Sequence, residues 1–211
     1  MAALCPRSGR RERQLNIDLD GRRALIGGAT GALTTAIRDA LAQDGATIAE
    51  TISPPAGAEE PFVLVLISEG ANGLPERDAC HPSERADFAR TIRQFASAKR
   101  VVIVFSAAGL VPIKGFAEFS AEQAGLASLT RTLAMELGPT TVVNGVAVGA
   151  YEADGAVRTE RFLTHTGVQR AATLDEILAA VLFLADPDNG YMTGHTLAVD
   201  GGWAIGYARN F

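Results

Sequence analysis

The chain has 211 residues, of which 47% are hydrophobic and 20% charged, with a formal net charge of −5. These values exclude a disordered chain, a fibre and a small disulfide-stapled scaffold, and the length fits one domain with a buried core. The mildly acidic balance supplies no global field for nucleic acid or an anionic membrane, and Cys5 and Cys80 form neither a metal-ligand spacing nor a disulfide framework, which fits a reducing cytoplasm.

Residues 1–17 read as a flexible tail, basic through Arg7, Arg10, Arg11 and Arg13 and without the apolar core of a secretory signal. A single domain is expected over 18–211, and no stretch reaches the roughly 18 apolar residues of a membrane span. A short buried strand is predicted at residues 23–27. Leu33, Ala36, Ile37, Ala40 and Leu41 then give a helix over 31–44, ended by Gly45. A strand over 46–52 and a Pro-rich loop precede FVLVLIS at 62–68, an unbroken apolar run expected of a strand buried on both faces. A helix over 83–97 and the strand VVIVFS at 101–106 follow. A long helix at 119–137 is stopped by Gly138-Pro139, and a strand is expected at 141–148. Thr173 with Glu176 three residues on predicts a capped helix over 174–185, ahead of a last strand at 195–199. This alternation predicts an α/β fold: a Rossmann-like, doubly wound, mostly parallel sheet in a three-layer α/β/α arrangement.

GGATGAL, Gly27 to Leu33, lies where the first strand feeds a helix. Glycines there either let a pyrophosphate approach the helix N-terminus or simply make a tight turn. With SAAG at 106–109, FSAEQAGLASLTRTLAMEL, VNGVAVG and DEILAAVLFLADPDNGYMTGHTLAVDGGW, the chain resembles the short-chain dehydrogenase/reductase family over most of residues 18–205. The resemblance implies a serine that polarises the substrate oxygen, a tyrosine that moves the proton, and a lysine four residues later. A nearby cation is what brings a tyrosine, ordinarily near 10, into useful range. Ser106 matches the serine, but the tyrosine position holds Phe119 and the lysine position holds Gln123.

Other departures accompany these. Gly27 and Gly31 match the first two glycines of the family's cofactor turn, but the third is Leu33, whose side chain is expected to fill space left for the dinucleotide. The family's N-N-A-G is Ile67-Ser68-Glu69-Gly70, and residues 80–100 hold no asparagine. Only residues 53–61 separate the second strand from the next, and nine residues reach roughly 30 Å. One helix and one strand after strand two are therefore expected to be deleted.

The resemblance implies subunit contacts through the long helix, rich in small residues at Ala121, Ala124, Gly125 and Ser128, and through the segment 174–205. The favoured expectation is a non-catalytic subunit of a hetero-oligomeric short-chain dehydrogenase complex. It would bind no cofactor tightly itself, with any NAD(P) carried by the partner subunit, and would form a dimer or tetramer with that relative or with itself. The alternatives are a cofactor-independent enzyme using Ser106 with Glu69 and Tyr151 on a carbonyl substrate, and a homo-oligomeric binding protein. Glu118 and Glu122 read as solvated charge. A triad of Ser106 with His81, His165 or His195 lacks a nucleophile elbow, and no metal site is expected.

Overall fold

The computed structural model describes residues 17–49, 61–75, 83–152 and 166–205. The described strands are β1 (Arg23–Gly28), β2 (Thr47–Ala49), β3 (Val63–Ile67), β4 (Arg100–Ser106), β5 (Val142–Val148) and β6 (Thr196–Val199). They form one six-stranded sheet in the order β2-β1-β3-β4-β5-β6, with every pair parallel. The order reverses between β1 and β3, which makes their C-terminal ends the topological switch point of the sheet.

Alternation along the strands builds two cores. Val63, Val65 and Ile67 of β3 and Val102 and Val104 of β4 face helices α1 (Ala32–Gln43) and α4 (Leu174–Ala185). Leu64 and Leu66 with Val101, Ile103 and Phe105 face α2 (Arg85–Gln94) and α3 (Ala117–Leu137). The apolar runs lack polar alternation because both sheet faces are covered. The three layers predicted from the element pattern are therefore present. Strand β2 is described over Thr47–Ala49, and the rest of its predicted span, the expected deletion and the N-terminal tail fall largely on residues 50–60 and 1–16, outside the described residues. Cys5, Cys80, His81 and His165 also lie outside them. Among the described residues, no helix is long and apolar enough to cross a membrane.

The helix ends are held by different devices. Helix α3 stops at Leu137 because Gly138, ahead of Pro139, turns extended. Helix α4 opens with the predicted capping box: Thr173 Oγ1 accepts from the Glu176 N–H at 3.3 Å, and Glu176 Oε2 accepts from the Thr173 N–H at 2.9 Å. Helix α2 receives no cap from its own N-cap residue, Glu84. Instead Glu122 of α3 reaches across. Its Oε1 accepts from the Glu84 N–H at 2.9 Å and the Arg85 N–H at 3.2 Å, and its Oε2 accepts from Arg85 Nε at 2.8 Å. Glu122 is thus a cap borrowed from a neighbouring helix rather than the solvated charge expected from the sequence.

Two predictions follow from these caps. Glu122→Ala should lower stability in chemical denaturation by about 1–2 kcal/mol, the usual cost of a lost cap. The half-exposed Arg85 ion pair adds little to that. The Arg170 side chain and the Thr173 N–H hold the Glu176 carboxyl well down, at about 2 against an ordinary 4.5. The capping-box contribution is therefore complete above pH 4.5 and is lost as pH falls toward 2. An NMR titration should show Glu176 moving up toward its ordinary value in Arg170→Ala, and an unmoved value would contradict the assignment.

Candidate functional site

Strands β3 and β4 end side by side in matching turns. Ser68 and Ser106 are N-caps of 3-10 turns, Glu69–Asn72 and Ala107–Gly109, with nearly the same backbone angles, φ −72° and ψ 144° against φ −72° and ψ 141°. Ser68 Oγ accepts from the Gly70 N–H at 3.1 Å, and Ser106 Oγ accepts from the Ala108 N–H at 3.3 Å. Between them lies Gln123, only 2% exposed. Its Oε1 accepts from the Ser106 N–H at 2.9 Å, and its Nε2 donates to Ser68 Oγ at 3.2 Å. Oε1 also lies 3.4 Å from Ser68 Oγ, but a hydroxyl has one proton, and the shorter contact to Glu84 Oε2 takes it. The other oxygen of Glu84 accepts from the Glu69 N–H at 2.9 Å.

Close packing around Gln123 explains two glycines. A Cβ on Gly70 would lie 2.4 Å from Gln123 Nε2, and one on Gly109 would lie 2.5 Å from the Gln123 carbonyl carbon and oxygen. Phe119, one turn earlier on α3, is buried. Lys99 lies at the opposite end of β4, where its carbonyl accepts from the Val142 N–H at 3.1 Å, and Lys114 is exposed ahead of α3. Neither lies on the helix that carries Phe119 and Gln123.

The glycine turn sits at the switch point. Gly27 is within β1, and Gly31 is the N-cap of α1, without a side-chain cap. The tightest approach is at Gly28, with φ 92°, where a Cβ would lie 2.1 Å from the Ile67 carbonyl oxygen. Ala29 N–H donates to that same oxygen at 2.7 Å. Asn72 Nδ2 donates to the Thr30 carbonyl at 3.2 Å, and Asn72 Oδ1 would lie 3.5 Å from a Cβ on Gly31. Leu33, expected from the sequence to fill space left for a dinucleotide, is buried in the core. With Ile37 and Leu41 it forms an i, i+4, i+8 stripe, fully buried against the sheet.

The residues of the cofactor-independent alternative lie in different surroundings. Glu69 is exposed, and Tyr151 packs in the α1/α4 core, where burial pushes its phenol up and away from neutral-pH acid–base work. Among the described residues, no hydrogen bond joins Ser106, Glu69 and Tyr151. His195 is exposed, and its N–H donates to Asn144 Oδ1 at 3.0 Å. On α3, Ala121, Ala124 and Ser128 are exposed, in a stripe that ends at Met135, 78% exposed. Gly125 differs from the expectation of an outward face: a Cβ there would lie 2.2 Å from Arg85 Cδ of the same chain, so its open side is covered by the α2 start. The sequence reading missed Ser68, Glu84 and Asn72, whose types signal nothing without their partners.

The family model described as enoyl-(acyl carrier protein) reductase matches residues 86–204. The chain is 36% identical over 112 residues to trans-4-hydroxycyclohexanecarboxylate dehydrogenase of Sinomonas cyclohexanicum, covering 53% of this chain and 43% of that relative. It is also 36% identical over 110 residues to a 3-oxoacyl-[acyl-carrier-protein] reductase of Synechocystis, covering 50% and 44%. The chain spans less than half the length of these curated relatives in the matched stretch. Among solved structures, a short-chain dehydrogenase/reductase from Serratia marcescens superposes with a TM-score of 0.71 at 22% identity, over 88% of this chain and 99% of that one. A blue fluorescent protein from a metagenomic library, in complex with NADPH, gives 0.71 at 23%, over 89% and 99%. At these identities the structural likeness shows the fold.

The packing around Gln123 is testable by two small substitutions. Gly109→Ala drives a methyl into helix backbone, which cannot yield, and should cost about 1–3 kcal/mol in chemical denaturation. Gly70→Ala meets only the end of a side chain and should cost less. The reverse order would contradict the packing.

Proposed function

The chain belongs to the short-chain dehydrogenase/reductase family, and from that premise we propose that it is a non-catalytic subunit supporting a catalytically complete relative. The observation that carries this reading is the pairing of Phe119 with Gln123. A phenyl ring has no proton to move. The amide at the lysine position carries no charge, and both of its polar atoms are engaged with the ends of β3 and β4. General acid–base catalysis is worth about 10²–10⁴-fold, so its loss outweighs the retained Ser106. The Ser106 hydroxyl is itself bonded to the turn that it caps.

The residues present do not fit a tightly held nicotinamide dinucleotide. Gln123 offers no cation for a ribose, and the Asn72 amide lies against Gly31, where a pyrophosphate would approach the start of α1. The relatives named above are dehydrogenases and reductases, and one fold neighbour is in complex with NADPH. In this reading, the corresponding chemistry belongs to the partner, and this chain contributes surfaces: the α3 stripe and the segment around α4 and β6, where Phe183 and Tyr191 are exposed.

Calorimetry of the full chain with NAD+ and with NADP+ should detect no tight binding, whereas a micromolar constant for either would overturn the proposal. For the surfaces, Ser128→Trp is the informative change, because Ser128 is exposed, whereas a side chain at Gly125 would meet Arg85 of the same chain. Light scattering should report a smaller assembly with native circular dichroism. An unchanged assembly size would remove α3 from the interface.

A further inference from the structure

We infer that Gln123 is a polar latch that fixes the ends of β3 and β4 to each other and, through Ser68 and Glu84, seats the start of α2. The inference stands on the hydrogen-bond chain alone and holds whether or not the protein binds a dinucleotide. The chain has a direction set by proton count. Ser106 N–H donates to Gln123 Oε1, Gln123 Nε2 to Ser68 Oγ, and Ser68 Oγ to Glu84, whose second oxygen accepts from the Glu69 N–H. Each member is satisfied, and the carboxylate is the terminal acceptor.

The glutamine at position 123 meets both demands, which lysine, glutamate and methionine do not. A lysine has donors but no acceptor, which would leave the buried Ser106 N–H unpaired. A glutamate accepts but, when ionised, gives nothing to Ser68. A methionine fills the volume and makes neither bond. The neighbouring α3 residue, Glu122, receives the first N–H groups of α2 from outside. Consecutive α3 residues thus hold one helix start from two sides: Glu122 directly, and Gln123 through the strand ends. Glycine at 70 leaves the latch amide its place, and glycine at 109 lets the α3 backbone that carries it approach the end of β4.

Site-resolved hydrogen exchange on the full chain tests the latch. Gln123→Met and Gln123→Lys should each accelerate exchange at the Ser106 amide about tenfold, the scale of one lost hydrogen bond. The Glu69 amide should accelerate less, because Ser68 still donates to Glu84 and only the tie from Ser68 across to β4 is lost. The Ile37 amide, across the sheet in α1, should keep its rate. An unchanged Ser106 rate overturns the latch, and so does equal acceleration at Ile37, which would report a general loss of stability only. If a Gln123 variant does not fold, Ser68→Ala decides: it removes the middle of the chain and leaves α3 intact. Faster exchange at Ser106 and Glu69 relative to Ile37 supports the latch, and unchanged rates there overturn it.

Discussion

A parallel sheet leaves the ends of its strands without ladder partners; at the end of β4 the amide oxygen of Gln123 meets that demand for the Ser106 N–H, and its nitrogen ties the same amide to the Ser68 side chain at the end of β3. The two strands are the fully buried centre of the sheet, and both turn out of it at a serine-capped 3-10 turn. Without a group between the turns, the Ser106 N–H would be a buried donor facing nothing, at a cost of about 1–3 kcal/mol. Gln123 supplies the acceptor and spends its own donor on Ser68. The link from β4 through Ser68 to Glu84 at the start of α2, and the need for glycine at 70, depend on that one side chain, while glycine at 109 makes room for the α3 backbone at the same residue.

Much of the fold was legible in the sequence because its signals are local. Apolar runs marked β3 and β4, and the Thr173–Glu176 spacing marked the start of α4. Leu33, Ile37 and Leu41 marked the buried face of α1, although Leu33 was assigned to the cofactor turn because a motif position outweighed the helical period. The site was less legible because its contacts are not local. Gln123 read as a missing charge, since its partners Ser68 and Ser106 lie 55 and 17 residues away. Glu122 read as surface charge because nothing in its neighbourhood showed that α2 lacked a cap. Gly125 read as an interface residue because small size cannot say whether the neighbour is a partner subunit or, as here, the stem of Arg85.

The family resemblance and the site point in different directions only if function is tied to fold. The sheet order and helix layers belong to short-chain dehydrogenases/reductases, and the curated relatives are named for redox reactions. Chemistry resides in particular side chains rather than in the architecture. Here the positions that the resemblance assigns to a proton-transfer pair hold Phe119, a buried ring, and Gln123, an interior hydrogen-bond partner. On the proposed reading, such a scaffold contributes surfaces to an assembly.

The central claim is tested most directly by isolating the tagged full chain from its native source and assaying the purified complex for NAD(P)-dependent carbonyl reduction. The account predicts a fixed stoichiometry with a relative that retains the serine, tyrosine and lysine, and an activity that resides in that relative and falls when this chain is stripped away. Sustained hydride transfer by this chain alone would contradict it.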